Sequence, residues 1–379
     1  SYEERVLTFG KLIKYQERFW PYVLIAAMGA VLTWFLVQLR GKAFFRFTTA
    51  TVCFVTVIMS VLMLALGKGN ELTTHRVVDM GIHGREKFTV ITDDNEHFYR
   101  IDLDNCMDNF PMYWRIPTIQ AFQSVVPASI FEFYDAIGYN RNVGSRPEQK
   151  YTGLRPLTSV KYLLTYENKD EPTTPGYTYV ATENELKIYE SSNYIPMGFT
   201  YDYYVDEEQF KGYATSNRDR LMLSAIYLNE EAVERNRDIL EKLPEDRFPT
   251  LTANGMAQVC EERRKETCKS FVRDNGGFTA TCNLSRENLV FFSVPYDDGW
   301  SATVNGKPVV VEKANVGFMA VRVPAGEATI RFEYETPGLK TGLLITAGAA
   351  GVLLLYAAAF WFIRKKRPNL RVRRTAHLS

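Results

Sequence analysis

The sequence is short of net charge, of histidine and of the compact motifs that mark nucleotide or hydrolytic chemistry. Its 379 residues carry 45 Lys and Arg against 44 Asp and Glu, a formal charge of +1. That excludes the global basic field that draws nucleic acid, and no nucleic-acid partner is expected. There is no glycine-rich phosphate loop, no Gly-x-Ser-x-Gly and no His-Glu-x-x-His, which removes the usual signatures of nucleotide binding, serine hydrolysis and zinc proteolysis. Of 4 His, three fall in the central region: His75 near Asp79, His83, and His97 beside Asp93 and Asp94. Their spacing fits no zinc or calcium pattern, so they read as solvated or capping residues and neither metal nor cofactor is expected. With 5 Cys and no Cys-x-x-Cys, thiol-exchange catalysis has no support. The chain also lacks an internal repeat, a low-complexity segment and, after Ser1, the basic segment, apolar core and small-residue site of a secretory leader.

Long apolar runs are present instead. Residues 21–39, 47–66 and 341–363 are uncharged and apolar. A helix needs roughly 20 such residues to cross a hydrocarbon core of ~30 Å, so three spans are expected. Arg40, Lys42 and Arg46 lie between the first two, and Arg364, Lys365, Lys366, Arg367, Arg371, Arg373 and Arg374 follow the third. Positive charge stays in the cytoplasm, so 40–46 and the basic tail 364–379 are expected inside, with 1–20 and 67–338 outside. Seven basic residues beside a span read as topology and lipid contact. A chain that starts outside without Met or leader is expected to continue a longer parent with earlier spans.

The outer region divides by pattern. Residues 67–268 mix short strands with helices, which indicates a mainly antiparallel α+β unit. Strands are expected in 87–101, with a turn at Asp93, Asp94 and Asn95, and in 158–168; 177–194 reads as a hairpin turning at Glu183 and Asn184. The segment 217–243 reads as helical, with Asn229 capping its second part and Pro244 ending it. From 269 to 338 short strands separated by Gly or Asn-Gly indicate a β-meander or sandwich. The fold expectation is a membrane protein: transmembrane helices, an extracytoplasmic α+β domain and a membrane-proximal β-domain.

Few residues stand out for chemistry. Asp297 and Asp298 sit in Pro-Tyr-Asp-Asp-Gly-Trp, a composition that suits a tight turn far better than an acid/base pair. Cys106, Cys260, Cys268 and Cys282 fall in the outer region, and four cysteines allow three complete pairings. Cys268 and Cys282 flank the Asn275-Gly276-Gly277 hairpin and can meet across it, and Cys260 is also near. One or two disulfides are expected, with the pairing open. Asn109, Tyr113 and Trp114, in Asn-Phe-Pro-Met-Tyr-Trp, put aromatic faces beside a polar group and are the candidates for stacking a sugar, against the plainer reading of a buried strand edge.

The run from Phe291 to Gly342 resembles the C-terminal region of the bacterial YfhO membrane-protein family. The resemblance rests on Pro295-Tyr296, Gly299-Trp300, Val304-Asn305-Gly306-Lys307, Gly317-Phe318, Pro324, Gly326 and Pro337-Gly338-Leu339 entering a span, in that order, with Val160–Thr165 and Asn193–Asp202 upstream. It implies a polytopic glycosyltransferase of the GT-C type. Such a protein takes sugar from a polyprenyl-phosphate carrier outside the membrane and adds it to a surface glycopolymer such as teichoic or lipoteichoic acid. The family's catalytic acid belongs to an early outer loop outside this sequence, so no catalytic residue is assigned. This chain is expected to supply terminal spans and an acceptor-side domain in a bacterial cell membrane. The alternative is a membrane-anchored glycan- or protein-binding module without enzymatic activity.

Overall fold

The computed structural model describes residues 16–38, 41–66, 75–92, 98–104, 106–245 and 252–366. Residues up to Val77 and residues from Val78 onward form two separate units. In the first, α1 (Gln16–Val37) and α2 (Gly41–Leu66) are helices linked by the Tyr22 hydroxyl, which donates to Met63 Sδ at 3.3 Å. Thr33 and Thr49 donate to the carbonyls of Gly29 and Phe45, four residues back, which satisfies their hydroxyls inside an apolar helix. Gly41–Ala65 is long and apolar enough to cross a membrane, as is Leu339–Lys365 in the C-terminal helix. The apolar part of α1, Tyr22–Val37, is shorter than a full crossing. The turn expected at Asp93, Asp94 and Asn95 and the tail beyond Lys366 lie outside the described residues.

The second unit is β-rich. β1 (Arg100–Asp104), β2 (Val160–Tyr166), β3 (Tyr177–Glu183) and β4 (Leu186–Ser191) form a sheet in the order β1-β2-β4-β3. β3 and β4 are the expected hairpin, but its turn falls on Asn184 and Glu185, both at positive φ. β1 and β2 run parallel, so the connection between them is a crossover. It contains the helices Phe110–Trp114, Ala128–Ala136 and Leu154–Leu157. This sheet is therefore mixed, where antiparallel pairing was expected. Residues 84–92 form a 3₁₀ turn and bends, and the strand expected there begins only at Arg100.

β5 (Phe199–Thr200), β6 (Tyr203–Val205), β7 (Ile226–Tyr227) and β8 (Glu241–Lys242) follow, the last three making a parallel sheet in the order β7-β6-β8. The segment 217–243 is thus not continuously helical. Arg218–Ser224 ends where Ala225 turns extended, and Ile226 and Tyr227 pair with β6. Sheet pairing overrides a weak local propensity here. The Asn229 cap is real: its side chain accepts from Ala232 N at 2.9 Å and opens Glu230–Asn236.

β9 (Ser270–Arg273), β10 (Gly277–Leu284), β11 (Asn288–Phe292), β12 (Trp300–Val304), β13 (Lys307–Val309), β14 (Glu312–Ala314), β15 (Phe318–Val323) and β16 (Gly326–Tyr334) build two sheets, ordered β13-β12-β16-β10-β9 and β14-β15-β11-β5. β5 comes from before residue 269, so the second sheet draws on both halves of the outer region. β11 shows why its sequence is apolar at every position but the first. Side chains alternate along a strand. Val290 and Phe292 enter the core between the two sheets, with Phe278, Phe332 and Val321. Leu289 and Phe291 enter a second core with Phe133, Tyr201 and Phe318. Each buried aromatic or aliphatic side chain contributes about 1.5–3 kcal/mol, so β11 stabilises two cores at once. Asn305 and Gly306 have φ of 50° and 75°, the type I′ geometry that joins β12 to β13. Asp297 is a turn residue: its carboxylate accepts from Gly299 N at 3.0 Å and its carbonyl from Trp300 N at 3.2 Å.

Candidate functional site

The structure separates the three expected sugar contacts. Asn109 sits in the left-handed region at φ 65° and opens the helix Phe110–Trp114. Its side-chain amide donates to Phe122 O and its carbonyl accepts from Phe122 N, both at 2.9 Å, so it clamps a loop. Trp114 is 0% exposed. Its indole donates to Met80 O at 3.0 Å, and its ring meets Phe88 edge-on at 4.8 Å and Phe110 at 5.4 Å. Both faces are covered by core side chains, so the expectation that Trp114 stacks a sugar is corrected: the short helix Phe110–Trp114 turns its largest side chain into the core. Tyr113, 52% exposed, is the one of the three with an open ring.

The cysteines also separate. All are free thiols in this structure. Cys106 packs with Phe110 and Trp114, and Cys260 packs with the Tyr201 and Phe291 core. Burial pushes each of these two thiols up to about 12. Cys268 and Cys282 lie together between the sandwich sheets. Hydrogen bonding between their side chains raises the Cys268 thiol above its ordinary range and lowers that of Cys282.

A cleft of about 220 Å³ lies where the crossover meets the end of β11. Four elements build it. Arg100 opens β1 at an irregular step in the β1–β2 register. Tyr134 comes from Ala128–Ala136, which stops at Gly138 with φ 77°. Arg141 and Ser145 come from the loop that follows, and Ser293 follows β11. Arg100 donates from Nη1 to Thr158 O at 2.6 Å and to Ser293 Oγ at 2.9 Å, and from Nη2 to Ser293 O at 2.9 Å. Arg141 is only 7% exposed, and its Nε and Nη1 have no hydrogen-bond partner. Its guanidinium lies 5.5 Å from the Phe131 ring centre and 5.8 Å from that of Tyr134.

No carboxylate among the described residues bonds either guanidinium. Burial, and then the charge of Arg273, lowers Arg100 to about 10. Burial likewise lowers Arg141, with Tyr134 and Tyr139 acting against it. Burial raises the Tyr134 phenol to about 12, so its ring stays neutral. An unsatisfied buried donor costs about 1–3 kcal/mol. Cation–π contact offsets part of that cost but supplies no acceptor. The cleft therefore holds two cations, short of negative charge and of acceptors. Sequence reading passed over Arg100 and Arg141 because the crossover, not local spacing, brings them together.

The profile of the family described as "Bacterial membrane protein YfhO" matches residues 7–269 and 242–346. A Bacillus subtilis (strain 168) protein described as "Uncharacterized protein YfhO" is 29% identical over 91 residues, 24% of this chain and 10% of that protein. The alignment thus spans a tenth of that relative's length. No solved structure matches. The chain belongs to the YfhO family of bacterial membrane proteins.

Proposed function

We infer that this chain is part of a polytopic, glycosyltransferase-like protein of the bacterial cell membrane. Its parent moves sugar from a polyprenyl-phosphate carrier to a surface polymer such as teichoic or lipoteichoic acid. This stretch contributes spans and an acceptor-side domain outside the cytoplasm. The observation that carries the reading is the join between sandwich and helix. β16 ends at Tyr334, and the apolar helix begins at Leu339. A strand that feeds a span within a few residues holds its sheet near the bilayer, where a lipid-linked sugar must be met. Arg364 and Lys365 at the far end of that helix support a cytoplasmic end there.

The test is made in cells producing the full-length parent. Residues 85–335 are deleted, insertion is checked, and sugar substitution on purified wall polymer and lipoteichoic acid is measured. The expected result is an inserted protein with loss of sugar substitution. Unchanged substitution would overturn the reading.

A further inference from the structure

The order of the strands fixes which end of the sandwich meets the last helix. β16 runs toward that helix and stops at Tyr334, so its antiparallel neighbours β10 and β12 start at the same end, with Gly277 and Trp300. β10 finishes at the opposite end, β11 sets out from there at Asn288, and β11 therefore runs back toward the helix. β15, antiparallel to β11, starts beside Phe292. Residues 293–299 and Gly317 thus lie at the helix end. Contacts agree with this: Glu335 N donates to Gly299 O at 3.0 Å, and the Tyr334 hydroxyl donates to Asp297 Oδ1 at 3.2 Å. The helix Ala128–Ala136 is seated at the same end. Its Ser129 Oγ donates to the Tyr296 carbonyl at 2.7 Å, and any side chain at position 317 would strike the Ser129 carbonyl.

The loop that leads into Ala128–Ala136 is apolar and open. Residues 116–131 carry no charge. Val125 is 87% exposed and Phe122 48%, and Phe131 and Val143 are exposed beside them. Phe122 is not outward through slack. The Asn109 amide holds both its N–H and its carbonyl, and backbone bonds from Gln123 N to Val143 O and from Ser145 N to Ala121 O, each 2.9 Å, pin the residues on either side. The first charge after the loop, Glu132, is paired with Lys313. At the same end Trp300 and Tyr334 face each other across β12 and β16 with ring centres 5.0 Å apart. Tyr and Trp are enriched where a membrane meets water.

We propose that the loop Phe122–Pro127 inserts its apolar side chains into the membrane leaflet that the helix Leu339–Lys365 enters, so that the β-rich unit rests on the bilayer at a second point. The bilayer is the surface that the span itself brings to this end of the sandwich. Asp297 and Asp298 lie there too, so the contact is made by apolar surface and not by attraction to anionic lipid. Apolar faces that lie in the interface reach about 5–10 Å into the headgroup and acyl boundary. The proposal rests on the reading of Leu339–Lys365 as a span and not on sugar transfer.

The test uses the full chain carrying Cys53→Ser, in phosphatidylcholine nanodiscs. Bimane is attached at Val125→Cys, at Ala325→Cys in the β15–β16 turn at the opposite end, or at Leu353→Cys in the last helix, and a cooperative thermal transition certifies that each variant is folded. A lipid bearing a nitroxide near its headgroup is expected to quench position 125 about threefold or more above position 325, and iodide in the water is expected to show the reverse order. Quenching at 125 no greater than at 325 would overturn the proposal. Protection of 125 from both quenchers would also overturn it, by showing that protein covers the loop, and so would a requirement for phosphatidylglycerol. A lipid bearing a deep nitroxide is expected to quench position 353. Failure there would remove the span and the proposal with it, whereas quenching at 353 without quenching at 125 would refute the loop contact alone.

Discussion

Arg155 donates from Nε to Asp102 Oδ2 at 2.9 Å, and its Nη2 forms an ion pair with the same oxygen at 2.8 Å, with each side chain 3% exposed. The remaining Arg155 donors reach Pro147 O and Glu148 O, and Asp102 Oδ1 accepts from Leu103 N. The pair fastens β1 to the helix Leu154–Leu157. Burial opposes the charge on Arg155, but Asp102 outweighs it and holds the guanidinium above its ordinary pKa. Removing one partner leaves the other charge buried and alone. Asp102→Leu or Arg155→Leu is expected to cost about 3–5 kcal/mol, and the double substitution less than the two singles together. Denaturant titration of the full chain in detergent measures this; a loss under ~1 kcal/mol in either single variant contradicts the assignment.

Trp114 and Tyr113 are neighbours with opposite roles. Trp114→Ala is expected to destabilise by about 3–5 kcal/mol, because it empties a packed site and removes one of the two donors, with Asn184, that the Met80 carbonyl accepts from. Tyr113→Ala is expected to stay within about 0.5 kcal/mol. Thermal unfolding of both variants decides the matter, and equal effects would refute the placement of Trp114 in the core.

The thiols give a third prediction. Incubated with oxidised glutathione, which is itself reduced as the two thiols join, the folded chain is expected to close Cys268 to Cys282. Those two lie in one core, while Cys106 and Cys260 lie in two others. Peptide mapping reads the pairing. A bond involving Cys106 or Cys260 would show that the packing is different.

Asp108 accepts from Arg146 Nε at 2.9 Å and from Nη2 at 2.7 Å. Arg146 holds this carboxyl below the usual range, against a smaller opposite effect of burial. A depressed folded pKa means that the contribution is complete above the unfolded carboxylate value of 3.8 and is lost as pH falls below it through the folded value. Asp108→Asn is therefore expected to lower the melting temperature at pH 7 and to converge on the unsubstituted chain as pH drops below about 4. A gap that persists at low pH would contradict this linkage. The pair holds the loop that carries Arg141.

Sequence pattern made the hairpins legible wherever turn chemistry is local. Asn305-Gly306 can adopt positive φ cheaply, and the alternating residues on either side fix the register. The apolar helices were legible for a similar reason, since length and absence of charge are properties of a single segment. Two features depended on distant partners. Ile226-Tyr227 became a strand because β6 was there to receive it. Trp114 was buried by Phe88 and Met80, which no spacing around residue 114 announces. The Arg100–Arg141 cleft is of the same kind. Each arginine alone reads as a solvated charge, and only the β1-to-β2 crossover makes them face one space.

The orientation of the β-rich unit is the claim on which the functional account depends. Asp170→Cys places a thiol on an exposed loop of that unit, and Lys365→Cys places one at the end of the last helix. Cys106, Cys260, Cys268 and Cys282 are buried, and the exposed Cys53 is replaced by Ser in both variants so that background labelling is low. Intact cells are treated with a membrane-impermeant maleimide. The account predicts labelling at position 170 without permeabilisation and at position 365 only after it. Labelling at 365 in intact cells, with 170 protected, would place the β-rich unit in the cytoplasm and contradict the account.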